Sequence, residues 1–416
     1  MIIVSFELVI IGGGPAGATA AKIAAEGGIK VLLLEAAEEG RYKCCAGGIP
    51  VSNEEFTPIP HNVKEREITG GVLVTPSSGV MQFEAIGEKN KGYCMFRTDF
   101  DKFLIDLARD AGAQVEYNYF AKHIEIRNTK SIIVKGIPDF ETKCVILATG
   151  LGGARLQRGV GIEVPPMING IQAEFEIPEN QLNESFGNKI WEFFDHNIID
   201  HGVGWAFPKL NAVSIGVLGP NAKLSHFNSF LKYKYLKDKI TNSEMLNFGG
   251  HKIWAAPIPD RIINKPYRER IMVVGDACGV ADPVLYEGIY QARLSGKIAA
   301  QIFLQAYEAE DFSDNFLSRY HKQLLNLLYD DNLKFAYKIH ELLYHSGYLE
   351  EIIDAVYALT KSDTEMRQAV TALFSGSQTR KEIWKVMMSR KWRLMRKMGV
   401  RNGLKILPTL LKAIRI

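Results

Sequence analysis

Val9-Ile10-Ile11-Gly12-Gly13-Gly14-Pro15-Ala16-Gly17, with Glu35 closing the next apolar run, is the stretch on which the reading of the fold turns. Leu8 to Ile11 is an unbroken apolar run of the kind buried on both faces of a parallel sheet. Gly12 permits a tight turn, Gly14 lets the backbone approach a pyrophosphate, and Gly17 lets a helix lie close on the strand. Pro15 suits the first turn of that helix, and Ala16 to Ala25 continues it. A pyrophosphate would rest on the helix N-terminus, where unpaired N–H groups and the dipole favour an anion. Val31 to Leu34 is the next strand. Glu35, twenty-one residues after Gly14, is placed to accept hydrogen bonds from an adenosine ribose. Glycine-rich turns are common. Strand, turn, helix, strand and terminal acid in that order specify an ADP-containing dinucleotide.

A second strand-and-turn of this kind lies far downstream. Arg270-Ile271-Met272-Val273-Val274-Gly275-Asp276-Ala277-Cys278-Gly279 ends on a carboxylate, and Glu287-Gly288-Ile289 opens a helix running through Phe303. Asp276 can bind a ribitol or ribose hydroxyl, and the helix N-terminus at Gly288-Ile289 can stabilise negative charge on a reduced ring. A capping Asp alone would not explain the second glycine turn. A dinucleotide held from both ends of one domain is FAD rather than NAD. Cys144 to Gly150 is a buried strand that belongs beside the first one, and Leu151 to Gly161 reads as a glycine-rich loop. In Phe96-Arg97-Thr98-Asp99-Phe100-Asp101, Arg97 sits just before a helix. It either contacts a phosphate or ribose or pairs with an acid in a surface turn.

Directly after Glu35 comes Lys43-Cys44-Cys45-Ala46-Gly47-Gly48-Ile49-Pro50. Small residues there allow a flat ring to approach the backbone. Three readings stand: a loop against the reactive part of the cofactor with a thiol exposed to substrate, a tight turn with two incidental buried cysteines, or a vicinal disulfide. Gly70 to Phe83 alternates around Thr75-Pro76-Ser77-Ser78-Gly79, a hairpin pattern. Gln114–Tyr117, His123–Arg127 and Ser131–Val134 read as short strands, and Ile168 to Gly219 is strand-rich. Within it, Trp205 and Phe207 of Gly204-Trp205-Ala206-Phe207-Pro208 fall on one side of a strand. They wall an apolar pocket or fill the sheet's core.

The fold class is therefore α/β: a Rossmann-type FAD-binding domain, an inserted antiparallel-sheet substrate domain, and a helical C-terminal region. The expected divisions are 1–65, 92–160 and 265–305 for the first, 66–91 and 161–264 for the second, and 306–416 for the third. The chain's 416 residues exceed one compact core. With 47% hydrophobic and 23% charged residues it has an ordinary globular composition. No secretory leader and no apolar run long enough to span a bilayer are visible. Five cysteines without metal-ligand spacing predict a reducing, cytoplasmic setting and no metal.

The net charge of +3 hides an asymmetry: from Arg380 to Ile416 there are twelve Lys/Arg and one acid, Glu382. Trp384, Met388, Trp392 and Met395 recur there at helical spacing among basic residues. A basic amphipathic helix with tryptophan reads as a peripheral membrane contact; the other reading packs it on the protein's own body. No nucleic-acid motif accompanies the charge, so no nucleic-acid partner is expected.

Taken together, four stations resemble the geranylgeranyl reductase family, within the wider class of flavoproteins that includes para-hydroxybenzoate hydroxylase. They are Gly12 to Gly17 with Glu35; Lys43 to Pro50; Phe96 to Asp101; and Gly275 to Gly279 with Pro283 and Glu287-Gly288-Ile289. The resemblance covers roughly residues 1–305. The second station is the more specific, because the reductases carry a cysteine followed by small residues there, matched by Cys45. Gly204 to Pro208 is similar to the reductases' Tyr-x-Trp-x-Phe-Pro motif, with Val203 in place of the tyrosine. Thr149 stands where hydroxylase relatives have an Asp, and Tyr286 replaces a glycine before Glu287.

The resemblance implies FAD as cofactor and reduction of C=C bonds in isoprenoid chains, on archaeal-type glycerolipids. An electron donor (a nicotinamide, ferredoxin or another carrier) must supply the reducing equivalents. It implies Cys45 as proton donor or positioning group, an ordered water sharing the role, and Gly47, Gly48, Trp205, Phe207 and Pro208 as substrate-facing residues. An aromatic face would stabilise cationic character by about 0.5–2 kcal/mol. The alternatives are a flavin monooxygenase acting on an apolar substrate and a flavin-free lipid-binding protein.

Overall fold

In the computed structural model, which describes residues 4–85, 87–127 and 131–416, the first apolar run is the inner half of strand Val4–Ile11. It pairs in parallel with Val31–Leu34 on one side and Phe140–Leu147 on the other. Gln114–Glu116 extends the sheet beyond Val31–Leu34, and Ile271–Val273 extends it beyond Phe140–Leu147, both in parallel. A strand about 260 residues downstream thus joins a sheet begun at the N-terminus. Leu8, Val9, Ile10, Leu32 and Leu33 are fully buried, each contributing about 1.5–3 kcal/mol of apolar burial. Helices Pro15–Glu26, Arg97–Asp110 and Ile289–Glu308 pack into the same core, the first in contact with both of the others. Small residues set how near they come: a Cβ on Gly296 would meet the Ala16 carbonyl oxygen at 2.1 Å. The short strands His123–Ile126 and Ile132–Lys135 pair antiparallel; residues 128–130 between them lie outside the described residues.

The second sheet runs in the order Glu244–Met245, Met167–Glu176, Ala212–Gly219, Val203–Pro208, Lys189–Phe193, Gly70–Thr75, Gly79–Glu84, with Trp254–Pro259 also on Met167–Glu176. The hairpin expected around Thr75 is Gly70–Thr75 with Gly79–Glu84. The sheet departs from wholly antiparallel at one seam: Lys189–Phe193 pairs in parallel with Gly70–Thr75, because these strands arrive from separate excursions of the chain. Arg66–Ile68 joins neither sheet. It pairs with Gly92–Cys94, which also pairs with Gly48–Pro50, in a three-stranded sheet beneath the Cys45 loop.

Two further sequence readings change. The stretch Leu151 to Gly161 is not a loop but a 3-10 turn, Gly150–Gly153, and a short helix, Ala154–Gly159. The basic tail is not one helix. Arg380–Ser389 stops at Arg390 (φ −105°, ψ 6°), and Lys391–Lys397 starts anew. Arg390 turns to Asp363 at 3.1 Å and Glu365 at 2.6 Å. Trp384 and Met395 join a core shared with the second sheet, whereas Trp392 is 67% exposed. The expected single apolar face is thus divided between the protein's own body and solvent.

Candidate active site: one cavity between two sheets

A cavity of about 990 Å³ lies between the two sheets and is closed in part by the C-terminal helices through Thr371, Phe374 and Ser375. Fifteen of the residues singled out from the sequence line it: Gly12, Gly14, Pro15, Ala16, Glu35, Cys45, Gly47, Gly48, Arg97, Trp205, Phe207, Gly275, Asp276, Gly288 and Ile289. Gly17 and Pro208 do not. A Cβ on Gly17 would sit 1.9 Å from the Gly12 carbonyl oxygen, so its place is the close packing of helix on turn. Pro208 is buried at the end of its strand, paired with Val213.

The first sheet's side of the cavity is made largely of backbone. Gly12 has φ +112°, and a Cβ there would meet the Ala148 carbonyl oxygen at 2.3 Å, so only glycine fits. A Cβ on Gly14 would meet nothing within 4 Å; the space over it is open. Gly14 caps helix Pro15–Glu26 without a side-chain hydrogen bond, and no acid sits in the first turn. Its N-terminal charge is left for an anion from outside. Glu35 is buried. Its Oε2 accepts the Gly13 N–H at 2.9 Å and its Oε1 the Ala37 N–H at 3.0 Å, with Arg41 Nε 3.5 Å away. Helix Ile289–Glu308 repeats the theme: Gly288 caps it with no side-chain bond and no acid in its first turn. Asp276 Oδ1 lies 3.4 Å from where a Gly288 Cβ would be. Two uncompensated helix N-termini, an open glycine cradle and carboxylates at both ends fit a flavin adenine dinucleotide.

Arg97 lines the cavity and also pairs with an acid. It pairs bidentately with Asp101, Nε to Oδ1 at 2.8 Å and Nη2 to Oδ2 at 3.0 Å, and the pair is buried in the helix rather than in a surface turn. Burial opposes its charge, but Asp101 and the neighbouring Cys45 sulfur more than offset it and hold the guanidinium above its ordinary range. The loop cysteines are both free thiols, so no vicinal disulfide is present. Cys44 donates to the Trp254 carbonyl at 3.8 Å, and burial pushes its thiol up to about 12. Cys45 is half-buried and lines the cavity. Gly47 follows at φ +79°, where a Cβ would strike the Met95 carbonyl oxygen at 2.0 Å.

The loop is pinned from the second sheet by a buried polar network that the sequence reading missed. Gln172 Nε2 donates to the Cys45 carbonyl at 3.1 Å and to Tyr42 Oη at 2.7 Å. Lys209 Nζ donates to the Ala46 carbonyl at 3.2 Å and pairs with Glu174 Oε2 at 3.0 Å, with both side chains 1% exposed. Ser214 bonds to both partners of that pair. The available signal was Gln172 and Glu174 alternating with the apolar Ile171, Ala173 and Phe175 along one strand. Trp205 and Phe207 both line the cavity, and both also pack into the core that the second sheet shares with the C-terminal helices. Gly216 makes room for the indole, and the Phe207 ring lies 2.6 Å from where a Gly48 Cβ would be. Tyr286 holds φ +53°, a conformation glycine adopts freely and a tyrosine only when anchored. Its hydroxyl lies 3.1 Å from His340 Nε2 and 3.4 Å from Asp260, and burial pulls His340 down to about 4.

The fold and site define a dinucleotide-dependent oxidoreductase. Residues 6–163 match the pyridine nucleotide-disulphide oxidoreductase family model. The chain is 30% identical over 330 residues to the digeranylgeranylglycerophospholipid reductase of Methanocaldococcus jannaschii, covering 76% of this chain and 82% of that one. It is also 30% identical over 336 residues to digeranylgeranylglycerophospholipid reductase 1 of Methanopyrus kandleri, covering 76% and 84%. A geranylgeranyl bacteriochlorophyll reductase-like protein from Thermoplasma acidophilum superposes with TM-score 0.77 at 22% identity, covering 93% of this chain and all of the other. The halogenase PltM, in complex with phloroglucinol and FAD, gives 0.68 at 14% identity, covering 99% and 95%. The structural likenesses establish the fold. The chain belongs to the digeranylgeranylglycerophospholipid reductase family.

Proposed function

We infer that this protein is an FAD-dependent reductase that saturates C=C bonds in the geranylgeranyl chains of archaeal-type membrane glycerolipids. One observation carries the reading: the dinucleotide cradle, the Cys45 loop and the aromatic wall of the second sheet line the same cavity. Family membership favours reduction over the oxygen-using alternative.

FAD, once reduced, supplies hydride. Gly12 to Ala16 would hold its pyrophosphate, Glu35 its adenosine ribose, and Asp276 with the Gly288-Ile289 helix end the other half. Arg97 faces the same space and, through its pair with Asp101, fixes the start of the helix behind the Cys45 loop. Trp205 and Phe207 would line an apolar path for the isoprenoid chain. An isolated alkene is not activated, so a proton must reach one carbon while hydride reaches the other. Cys45 is placed at the cavity as donor or as a positioning group.

The basic tail supports a peripheral contact with anionic lipid. No helix of the described residues is long and apolar enough to cross a membrane. Trp392, Leu404, Leu411 and Ile414 are exposed among Arg396, Lys397, Arg401, Lys405 and Arg415. Such a surface would hold the enzyme where its substrate resides. The reducing equivalents come from an external carrier.

The function is tested by incubating chemically reduced protein with geranylgeranyl glycerolipid without oxygen and weighing the lipid. Gain of two hydrogens per double bond is expected; an unchanged lipid contradicts the reading. A Cys45→Ala protein that keeps FAD and full turnover would remove Cys45 from the chemistry.

A further inference from the structure

Strand Lys189–Phe193 alternates between two surroundings. Trp191 and Phe193 point into the core on the far side of the second sheet, while Ile190 and Glu192 line the cavity. Glu192 is 6% exposed, and its Oε2 has no hydrogen-bond partner among the described residues. Its register partners are Trp205, whose Nε1 is equally without a partner, and Leu73. The same sheet shows what a structural buried acid looks like: Glu174 has Lys209 at 3.0 Å and the Ser214 hydroxyl at 2.7 Å. A buried carboxylate without such partners is too costly to keep ionised, so the group stays neutral.

We propose that the Glu192 carboxyl is the acid that gives a proton to one carbon of an isoprenoid double bond lying along the cavity. This rests on the reductase reading above and resolves its open choice: Glu192 donates, and Cys45 positions. Three features carry it. The side chain faces the cavity, its Oε2 has no partner among the described residues, and it neighbours the Trp205 indole, which lines the same cavity. Burial pushes the carboxyl up to about 8, so it is protonated at neutral pH. The titratable group that senses its charge is Tyr344, on helix Lys334–Tyr344; neither strand neighbour, Trp205 nor Leu73, titrates.

The balance closes. The Glu192 O–H bond and the alkene π bond break, and a C–H bond forms at each carbon. One hydrogen comes from Glu192 as a proton, the other as hydride from the reduced cofactor, and the carboxylate left behind is reprotonated from water.

The test compares wild type, Glu192→Gln and Cys45→Ala as reduced holoproteins with geranylgeranyl glycerolipid, and adds infrared titration without lipid. Glu192→Gln matches the neutral acid in shape, so FAD content is expected to hold while lipid reduction falls at least about 100-fold, the scale of a lost general acid. In the infrared, wild type and Cys45→Ala carry a protonated-carboxyl band that titrates near pH 8 and is missing from Glu192→Gln. Turnover of wild type and Cys45→Ala declines above that pH. If Glu192→Gln does not fold, Glu192→Asp carries the test, with the band kept and turnover intermediate. Lipid reduction by Glu192→Gln within threefold of wild type, or the absence of the band from wild type, overturns the proposal alone. A wild type that reduces no lipid while showing the band overturns the reductase reading and the proposal with it.

Discussion

Around the dinucleotide side of the cavity the walls are turns and helix ends, with Gly12, Gly14 and Gly288 presenting main chain to the ligand space. Around the second sheet the walls are side chains, Trp205, Phe207, Gln172 and Glu192, with neutral polar groups set among apolar ones. Backbone walls suit a cofactor whose phosphates need N–H groups at fixed places. Side-chain walls suit a long apolar substrate and a reaction that needs one proton at one carbon. The contrast also separates what substitution will do: on the first side shape is everything, on the second charge is.

The largest effect is expected from Gly17→Val. With only 1.9 Å between a Cβ and the Gly12 carbonyl, the turn cannot keep its shape. Loss of FAD and destabilisation of more than about 3 kcal/mol are expected, read by flavin absorbance and thermal melting. On the other side, Lys209→Met should cost about 3–5 kcal/mol by stranding Glu174. The double variant Lys209→Met/Glu174→Met should recover much of that, which a double-mutant cycle measures.

Glu192 gives a pH signature of opposite character. Its folded pKa is raised to about 8 by burial, so the folded state holds a proton that the unfolded chain releases above about pH 4.3. The stability this contributes is fully present below the unfolded value and is lost as pH rises to about 8, a change of order a few kcal/mol. Denaturant titrations should show that decline in wild type and a flatter profile in Glu192→Gln. At the small end, Tyr286→Phe keeps the ring and its positive φ but removes the hydroxyl that meets His340 and Asp260. Loss of that hydrogen bond, at about 1 kcal/mol, lowers the melting temperature by a few degrees. Finally, Trp392→Ala with Arg396→Glu and Lys397→Glu should weaken sedimentation with anionic vesicles while leaving turnover on detergent-dispersed lipid unchanged, since none of the three lines the cavity.

The same division governs what the sequence could reveal. The dinucleotide side was legible because its constraints are local: a positive φ at Gly12, an open Gly14 and a helix start at Pro15 fall within a few residues of one another. The Asp276 station was legible for the same reason, although 241 residues separate it from Glu35. The second side was only half legible. Trp205 and Phe207 were visible as a strand pair, but Glu192 looked like any acid in an aromatic-rich segment. Its meaning depends on which face of Lys189–Phe193 meets the cavity, and that is set by parallel pairing with Gly70–Thr75, more than a hundred residues earlier. The tail misled for a related reason. Helical spacing from Trp384 to Met395 is real, but Asp363 and Glu365 on another helix draw Arg390 aside and break the run.

The central claim is that one cavity brings reduced flavin and an isoprenoid double bond together. Its most direct test is rapid mixing of the reduced holoprotein with geranylgeranyl glycerolipid under strict exclusion of oxygen, following the oxidised-flavin absorbance. The account predicts that absorbance returns in step with saturation of the lipid, and that fully saturated lipid produces no return. Flavin that stays reduced until oxygen is admitted would contradict it.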